Sequence, residues 1–344
     1  MMRRARHLAR AAILVWRSVE GLLLYVMLFV GWLRRNRKLV TTTYPGEKSL
    51  DDVKDVAIFV HFDRCGQVHD YIMFYLRALR DAGFEILFVS NGRGLTREAL
   101  ARVSPLCVGI LCRRNVGYDF GAYRDGLRWL GNPSRFRRIL LANDSVYGPF
   151  FDLKTVLARC DDSASVWGMT DSWSGGYHLQ SYFLLLNHST LVSTRFGEFW
   201  DELLLLQSKR LIIRHYEIGF TKTMLRDGLR CDALFRYRTA AQDFALASNA
   251  GKLSNEALTP KIRDFFASVR RHVDEGRPLN PMHHFWDHMI GNLHCPFIKR
   301  ELLARNPARI PHAYLWERLI RSVSTYDISL IVRHLQTTTR NRAP

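Results

Sequence analysis

Four short apolar runs, each followed by polar residues, constrain the fold of this chain more than any other feature. The runs cover residues 56–60, 85–89, 108–111 and 138–142. Between the first two runs, apolar residues recur at helical spacing until a glycine, Gly83, ends the pattern. Strands that alternate with helices are typical of βαβ units. The sequence therefore predicts an α/β fold built around a mostly parallel central sheet.

Polar residues mark the end of each predicted strand. They are His61 and Asp63, then Ser90 and Asn91, then Arg113, Arg114 and Asn115, and finally Asn143 and Asp144. Because the carboxyl ends of parallel strands lie along one edge of a sheet, loop amides and helix N-termini converge there on ligands. We therefore expect a single crevice at this edge, of the kind that binds a nucleotide.

A glycine-punctuated loop, RNVGYDFGAY at residues 114–123, follows the third run. Gly117 and Gly121 would let the backbone approach a ligand, and Asp119 between them would offer its carboxylate to a ribose or sugar hydroxyl. Asn115 is expected to orient the loop or to donate to phosphates. The structural alternative is a glycine-rich turn closed by an Asx hydrogen bond.

A polar turn, Asn143-Asp144-Ser145, follows the fourth run. Carboxylate oxygen suits Mg²⁺ or Mn²⁺, and such an ion can neutralise the charge of a diphosphate leaving group. Asp144 is therefore the candidate ligand for Mg²⁺ or Mn²⁺. Only one acid stands in this turn, and the structural alternative is that Asp144 caps a helix after the strand.

Further motifs follow in the second half of the chain: HLQSYF at 178–183, YEIG at 216–219, NPMHHFWD at 280–287 and PFIKREL at 296–302. Together with the two stretches above, and in this order, they resemble the rhamnan synthesis protein F family. Members of that family look like glycosyltransferases with a nucleotide-diphospho-sugar transferase (GT-A) fold. The resemblance implies a GT-A-like fold here. The usual metal motif of that fold class has two aspartates flanking one residue, which this chain lacks.

The resemblance also implies the substrates. A nucleoside-diphosphate sugar, with dTDP-L-rhamnose as one candidate, would donate a sugar to a surface polysaccharide or a lipid-linked precursor. The expected donor-binding residues are His61, Asp63, Ser90, Asn91, Arg114, Asn115, Gly117, Asp119, Gly121, Asn143, Asp144 and Ser145. The expected acceptor residues are Gln180, Tyr182, His284 and Trp286. The alternative is a non-catalytic polysaccharide-assembly protein whose glycosyltransferase site has decayed.

Glu217 is the expected catalytic residue. It begins a segment that is similar to the acidic segment of inverting family-2 glycosyltransferases, where an acid deprotonates the acceptor hydroxyl. Direct attack on the anomeric carbon needs such a general base. Asp171 and His178 are the alternative bases. The structural interpretation of Glu217 is an acid in the first turn of a helix, favoured there by the helix dipole.

Residues 1–38 combine basic charge with an apolar stretch. Nine Lys and Arg residues stand against one Glu, a net charge of +8, and residues 21–33 are almost entirely apolar. Thirteen helical residues span about 20 Å, less than the ~30 Å hydrocarbon core of a bilayer. Tyr25, Trp32 and the flanking basic residues favour a helix bound to an anionic membrane surface. The alternative is a helix that packs on the protein core.

Four parts are predicted along the chain: the membrane-associated segment 1–38, a polar linker 39–55, a catalytic domain 56–260 and a helical extension 261–344 packed on that domain. The six cysteines are scattered without a C-x-x-C pair, which indicates a reducing compartment. The net charge of +18 favours anionic partners, but no recognised nucleic-acid-binding pattern is present, so nucleic acid is not expected. We expect the protein at the cytoplasmic face of the inner membrane.

Overall fold

The computed structural model describes residues 25–92, 94–249 and 259–340. Its strands are β1 (Val40–Pro45), β2 (Asp55–His61), β3 (Glu85–Ser90), β4 (Cys107–Arg113), β5 (Arg138–Asn143), β6 (Val146–Tyr147), β7 (Val166–Ser172), β8 (His178–Leu179), β9 (Phe183–Asn187), β10 (Cys231–Phe235) and β11 (Ile298–Lys299). All four strands predicted from apolar runs are present as β2, β3, β4 and β5.

Helices fill most of the remaining described chain. They are α1 (25–34), α2 (Asp70–Asp81), α3 (Arg97–Val103), α4 (Tyr118–Leu130), α5 (Leu153–Leu157), α6 (His188–Leu191), α7 (Thr194–Asp201), α8 (Lys209–Ile212), α9 (Ile218–Arg226), α10 (Tyr237–Asn249), α11 (Pro260–Asp274), α12 (Pro281–His284), α13 (Trp286–Gly291), α14 (Arg300–Ala304), α15 (Trp316–Val323) and α16 (Ser329–Arg340). A π-helical turn, Ile213–Glu217, joins α8 to α9.

A mixed central sheet has the strand order β1-β4-β3-β2-β5-β9-β7-β10, with β8 paired to β7. The strands β4, β3, β2 and β5 are parallel to one another, as the sequence predicts. In the described residues, this sheet has four parallel pairings and four antiparallel ones. The α/β fold is confirmed, but the prediction of a mostly parallel sheet is wrong, because β1, β8 and β9 pair antiparallel with their neighbours.

A short connection explains the antiparallel strands β8 and β9. Residues 173–182, between β7 and β9, are fewer than the dozen or more that a crossover between parallel strands needs. The chain therefore turns back on itself through β8, and β9 enters the sheet antiparallel to both β5 and β7. The apolar pattern of a buried strand carries no information on its direction.

The sheet is covered on both faces by apolar layers. In β2, Ala57 and Phe59 belong to one layer, whereas Val56, Ile58 and Val60 belong to the other. The first layer includes α2, α5 and the helices from α10 to α16, and the second includes α4 and α6 to α9. A sheet buried on both faces explains why its strands are continuous apolar runs.

Residues 39–55, which we predicted to be a linker, contain strand β1. It pairs antiparallel with β4 from Val40 to Pro45 and covers that edge of the sheet. Leu39, just before it, is buried. Val, Thr and Tyr fit a pleated surface well, and β4 would otherwise present unpaired backbone groups. The polar side chains of this segment therefore face outward from an edge strand.

Residues 1–24 of the predicted membrane-associated segment lie outside the described residues. In the part that is described, α1 contacts the loop at 204–206, where the backbone N–H of Leu205 donates to the carbonyl of Gly31 at 3.4 Å. Tyr25, Phe29 and Trp32 on the same helix are exposed. Across the described ranges, no helix combines the length and the apolar character that a membrane crossing requires.

The region after residue 260 covers one face of the central sheet and also adds a strand beside the carboxyl ends of the parallel strands. Strand β11 pairs antiparallel with β6, with Lys299 opposite Val146. The backbone N–H of Arg300 also donates to the carbonyl of Ser145 at 3.0 Å. Because β6 directly follows the Asn143-Asp144-Ser145 turn, this pairing brings Lys299 and Arg300 beside that turn.

Candidate functional site

The carboxyl ends of β2, β3, β4 and β5 lie side by side, as the sequence predicts. His61 is paired with Ser90 across β2 and β3, and Val60 is paired with Asn143 across β2 and β5. Ser90 is also paired with Cys112 of β4. The polar residues that follow these strands therefore meet at one edge of the sheet. Two adjoining cavities, of about 420 Å³ and 290 Å³, lie at this edge.

Arg113 is a buried structural residue of this edge. Its guanidinium donates to Asp125 at 2.8 Å, to the carbonyl of Val116 at 2.8 Å and to Oδ1 of Asn91. The amide of Asn91 in turn donates to the carbonyl of Tyr118 at 3.3 Å. These contacts tie β3 and β4 to the start of α4. Asn91, predicted to bind the donor, therefore supports the loop and lines neither cavity.

The two loop glycines also have structural roles. Gly117 has a φ of 82°, a left-handed conformation that glycine adopts without strain. A Cβ on Gly121 would lie 2.5 Å from the carbonyl oxygen of Val116. The glycines thus bring the loop against the first turn of α4. Arg114 and Asn115 in the same loop are exposed and line neither cavity.

A chain of hydrogen bonds links α4 to the turn after β5. Asn143 Nδ2 donates to Asp119 Oδ2 at 3.0 Å. Its Oδ1 accepts from the backbone N–H and from Oγ of Ser145, at 3.0 Å and 2.6 Å. Burial and the nearby Asp144 raise the pKa of Asp119 to about 7. Asp119 is therefore a carboxyl group of fixed orientation that changes its charge near neutral pH.

Asp144 is paired with the basic side chain of Arg300. Its Oδ2 lies 2.8 Å from Arg300 Nη1 and accepts from the backbone N–H of Phe62 at 3.3 Å. The same Nη1 donates to the carbonyl of Asp144 at 2.6 Å. Burial lowers the pKa of Arg300, but Tyr71, Asp144 and Tyr147 raise it by more. The guanidinium is therefore charged at any physiological pH.

The residues around Asp144 do not fit a divalent cation. Mg²⁺ and Mn²⁺ need several oxygen ligands, whereas the Asp144 carboxylate is paired with Arg300 and the Asn143 side-chain oxygen with Ser145. In the part of the chain that the structure describes, no group of three or more His, Cys, Asp or Glu residues could hold a metal. Asp144, our predicted metal ligand, is an ion-pair partner here.

Three predicted donor-binding residues at the ends of β2 and β3 line neither cavity. His61 is buried, which lowers its pKa, and its Nδ1 has no hydrogen-bond partner among the described residues. Asp63 accepts from the backbone N–H groups of Cys65 and Gln67 at 2.8 Å and 3.0 Å, closing the turn after β2. Ser90 is buried. These side chains contact the protein instead of the cavities.

The larger cavity collects side chains from both halves of the chain. It is lined by Tyr118, Asp119, Phe120, Asn143, Ser145, Gln180, Ser181, Tyr182, Lys209, Ile212, Ile213, Glu217, Asn280, His283, Lys299 and Glu301. Predicted donor residues, predicted acceptor residues and the predicted base therefore share one space. The residues come from six separate stretches of sequence, which the fold brings together.

Glu217 is the predicted base that lies in this cavity. It ends the π-helical turn before α9, a kind of turn that occurs frequently at functional sites. Its Oε1 accepts from the backbone N–H and from Oγ of Ser181. The two alternative bases, Asp171 and His178, line neither cavity. Asp171 accepts from the backbone N–H of Tyr237 at 2.5 Å, and His178 Nδ1 lies 2.8 Å from a backbone carbonyl.

Two of the four predicted acceptor residues line the larger cavity. The hydroxyl of Thr170 donates to Gln180 Oε1 at 2.7 Å and lies 3.0 Å from the hydroxyl of Tyr182. These buried contacts fix the orientation of Gln180 and Tyr182. Because all three residues come from β7 and the segment before β9, the sheet itself holds this wall of the cavity.

The other two predicted acceptor residues, His284 and Trp286, do not line it. Trp286 is buried, and its ring stacks on His312 with 5.6 Å between ring centroids. His284 Nδ1 lies 3.1 Å from the carbonyl of Asn280. The adjacent His283 lines the cavity in their place. The aromatic motif at 280–287 thus belongs mostly to the core.

Lys299 and Arg300 are site residues that were not predicted from the sequence. Lys299 Nζ lies 3.9 Å from the centroid of the Tyr182 ring, and burial lowers the pKa of Lys299 to about 8. Arg300 lines the smaller cavity. The signal was present in the run at 296–302, because two basic residues directly after a buried apolar segment are unusual unless they have partners.

Comparison with known proteins identifies the family. A sequence model of rhamnan synthesis protein F matches residues 86–272, more than half of the chain. Virulence protein VirA of Vibrio anguillarum is 30% identical over 276 residues, covering 77% of this chain and 84% of VirA. The chain belongs to the rhamnan synthesis protein F family. This membership confirms the resemblance found in the sequence.

Solved structures resemble this rhamnan synthesis family member distantly. Mannosyltransferase PcManGT from Pyrobaculum calidifontis, in complex with GDP-Man and Mn²⁺, is 11% identical, with 92% of this chain and 97% of that chain covered and a TM-score of 0.35. Galactosyltransferase LgtC, in complex with donor and acceptor sugar analogues, is 12% identical, with 78% and 97% covered and a TM-score of 0.30. At these TM-scores, neither site can be transferred to this chain.

The region matched to the rhamnan synthesis family contains only part of the site. Residues 86–272 include Asp119, Asp144 and Glu217, but the match ends before Lys299 and Arg300. His61 and Asp63 precede it. The basic pair therefore reaches the site from sequence beyond the matched region, through the pairing of β11 with β6.

Proposed function

We propose that this member of the rhamnan synthesis family is a glycosyltransferase of the GT-A type. The observation that carries the proposal is the larger cavity, where Asp119, Glu217 and Lys299 converge from α4, the π-helical turn and β11. Carboxyl groups and an amine around one space can bind hydroxyls and phosphate and can accept a proton. The cavity also lies at the carboxyl edge of parallel strands, where ligands of α/β proteins bind.

The proposed donor is a nucleoside-diphosphate sugar. The family name favours L-rhamnose as the sugar and dTDP-L-rhamnose as the donor. Tyr118 and Asp119, at the start of α4, are the proposed contacts, because an exposed ring and a carboxyl group suit stacking and hydroxyl binding. Tyr118 has a φ of 50°, and backbone strain of this kind clusters at ligand sites.

Glu217 is the proposed general base. The acceptor hydroxyl oxygen forms a bond to the anomeric carbon, the bond from that carbon to the diphosphate oxygen breaks, and the hydroxyl proton passes to Glu217. Ser181 holds the carboxylate through Oε1, and Oε2 is the proposed proton acceptor. Direct displacement of this kind inverts the configuration at the anomeric carbon.

The proposed acceptor is a surface polysaccharide or its lipid-linked precursor. Gln180, Tyr182 and His283 line the same cavity as Glu217 and are the proposed acceptor contacts. An aromatic ring with amide and imidazole groups beside it suits a sugar, which has both apolar faces and hydroxyl edges.

We also propose that α1 binds peripherally to the cytoplasmic face of the inner membrane. Its exposed Tyr25, Phe29 and Trp32 offer an apolar face, and Arg34 and Arg35 offer positive charge to anionic headgroups. A peripheral enzyme at this surface would meet a lipid-linked acceptor directly.

Purified protein and a panel of nucleotide sugars that includes dTDP-L-rhamnose test the enzymatic proposal. We expect one donor to release its nucleoside diphosphate faster with acceptor present, and NMR of the product to show inverted configuration. If no donor is turned over, the non-catalytic assembly protein becomes the better proposal. A product with retained configuration would overturn the direct displacement and the role of Glu217.

A further inference from the structure

The polar turn after β5 is already occupied by protein contacts. Asp144 Oδ2 is paired with Arg300, Asn143 Oδ1 accepts from Ser145, and Asp119 Oδ2 accepts from Asn143, so three of the oxygens that could bind a divalent cation already have protein partners. A diphosphate at this edge would still require positive charge, because its own charge grows as the glycosidic bond breaks. The structure places a different source of charge at the same turn.

We propose that Arg300 and Lys299 bind the diphosphate of the donor directly, in place of a divalent cation at Asp144. This inference rests on the proposed function, because it assumes that a nucleoside diphosphate occupies the two cavities. In this arrangement Asp144 is a positioning residue, which holds the guanidinium of Arg300. Lys299 and Arg300 are the groups that touch the phosphates.

The position of the two basic residues supports a common ligand. Arg300 lines the smaller cavity and Lys299 lines the larger one. The two cavities adjoin, because Ser145, Lys209 and Glu301 line both of them. A ligand that extends from one cavity into the other could therefore contact Lys299 in the larger cavity and Arg300 in the smaller one. A nucleotide sugar has this form, with its diphosphate between nucleoside and sugar.

The charge of the smaller cavity favours an anion. Lys209, Arg300 and Arg305 carry positive charge there, against the negative charges of Asp144 and Glu301. Burial and the nearby Arg300 lower the pKa of His334, another lining residue, to about 3, so it is neutral. Three cationic side chains against two anionic ones leave a net charge of +1 in this cavity, which favours an anionic ligand.

Arg300 is also held rigidly, as an anion-binding residue should be. Its backbone N–H donates to Ser145, its Nη1 contacts both the carbonyl and the carboxylate of Asp144, and its guanidinium carbon lies 5.6 Å from the centroid of the Tyr71 ring. A guanidinium that is already oriented loses little entropy when a ligand binds. Charge-assisted contacts to phosphate are then strong and specific in direction.

Calorimetric binding of UDP, GDP and dTDP to the full chain, in EDTA and in Mg²⁺ or Mn²⁺, tests the inference. We expect at least one diphosphate to bind with the same Kd, within about twofold, in both conditions. The matching nucleoside should bind far more weakly. Arg300→Gln and Lys299→Met should each weaken diphosphate binding by about tenfold or more, since each removes a charged hydrogen bond. Arg318→Gln, an exposed change on α15, should leave it unchanged.

The outcomes separate the inference from the proposed function. Diphosphate binding that needs added metal, or that is native in both Arg300→Gln and Lys299→Met, overturns the inference and leaves the glycosyltransferase proposal standing. If no diphosphate binds in either condition, the proposed function and this inference both fail. Circular dichroism establishes which variants fold. If Arg300→Gln does not, Lys299→Met alone decides between these results.

Discussion

Glu217 and Ser181 are joined by two hydrogen bonds that end on the same carboxylate oxygen, with donor distances of 2.7 Å from the backbone nitrogen and 3.0 Å from Oγ. Ser181 lies just before β9, and Glu217 ends the π-helical turn that precedes α9. The pair therefore connects the sheet to the helical layer at the cavity. An amide in place of the carboxylate would still offer one oxygen to both donors.

The first prediction is that Glu217→Gln strongly lowers the rate of transfer but keeps the fold and donor binding. The variant retains an oxygen that accepts from Ser181, so the local structure should persist. It cannot accept the acceptor proton, and loss of a general base lowers kcat by about 10²–10⁴-fold. Steady-state kinetics with the best donor and acceptor measure this loss.

Glu202→Gln is the matched control, since Glu202 is exposed after α7 and should have native kinetics. Calorimetry should give the same donor Kd for native protein and Glu217→Gln. A Glu217→Gln variant that transfers at the native rate would contradict the base assignment, and the proton would then pass to another group of the cavity, such as Asp119.

The second prediction concerns pH. Burial lowers the pKa of Lys299 to about 8, so this side chain is charged at pH 7 and largely neutral at pH 9. If Lys299 binds a phosphate, affinity for the diphosphate is greatest below pH 8 and falls above it. The fall is at most about tenfold per pH unit for one proton. Isothermal titration calorimetry at pH 7, 8 and 9 measures it.

The variant Lys299→Arg tests whether the charge of Lys299 causes the pH dependence of diphosphate binding. Arginine remains charged at pH 9, so the variant should bind the diphosphate with less dependence on pH above 8. If native protein and Lys299→Arg lose affinity equally between pH 7 and 9, another group is responsible. A constant native Kd over the same range would also contradict the prediction.

The positions at which strands β2 to β5 end could be predicted from the sequence for a physical reason. A strand buried on both faces must be apolar throughout, and the first polar residue after it marks the edge of the sheet. The pairing of His61 with Ser90 and of Val60 with Asn143 confirms that these ends meet. Which polar side chains then face the cavity depends on local bonding. Asn91 and Asp63 contact only the protein, whereas Asp119 accepts from Asn143 and also lines the larger cavity.

The remaining part of the site depends on long-range contacts that no local pattern reveals. Lys299 and Arg300 reach the turn at Asp144 only because β11 pairs with β6, more than 150 residues away in the chain. The direction of β9 was likewise set by the short return from β7. A basic pair in an apolar run was visible, but its partner Asp144 could be named only from the fold.

The third prediction concerns Gly121 in the first turn of α4. In Gly121→Ala the new Cβ would lie 2.5 Å from the carbonyl oxygen of Val116, so the loop must move. We expect the free energy of unfolding to fall by about 1–3 kcal/mol, the usual cost of overpacking. Gly197→Ala in α7 is the control, because no atom lies within 4 Å of its new Cβ and the change should stabilise the helix by about 0.5–1 kcal/mol. Urea unfolding measures both, and equal effects would contradict the close contact.

The last prediction concerns the exposed face of α1. Phe29 and Trp32 are 58% and 55% exposed, and their rings stack with 6.0 Å between centroids. If this face enters a membrane, the double change Phe29→Ser and Trp32→Ser should weaken binding to phosphatidylglycerol vesicles at least about tenfold, because each buried aromatic side chain contributes roughly 1.5–3 kcal/mol. Vesicle sedimentation measures the binding.

Tyr314→Ser, a change at another exposed aromatic residue, should bind vesicles as the native protein does. Thermal unfolding should be unchanged in the double variant, because neither ring is part of the core that Gly31 and Leu28 contact. If the native protein binds neutral phosphatidylcholine vesicles more weakly than phosphatidylglycerol vesicles, the basic residues after α1 contribute to membrane binding as well. If the double variant sediments like the native protein, α1 does not carry the membrane contact, and the attachment must be sought on another face of the molecule.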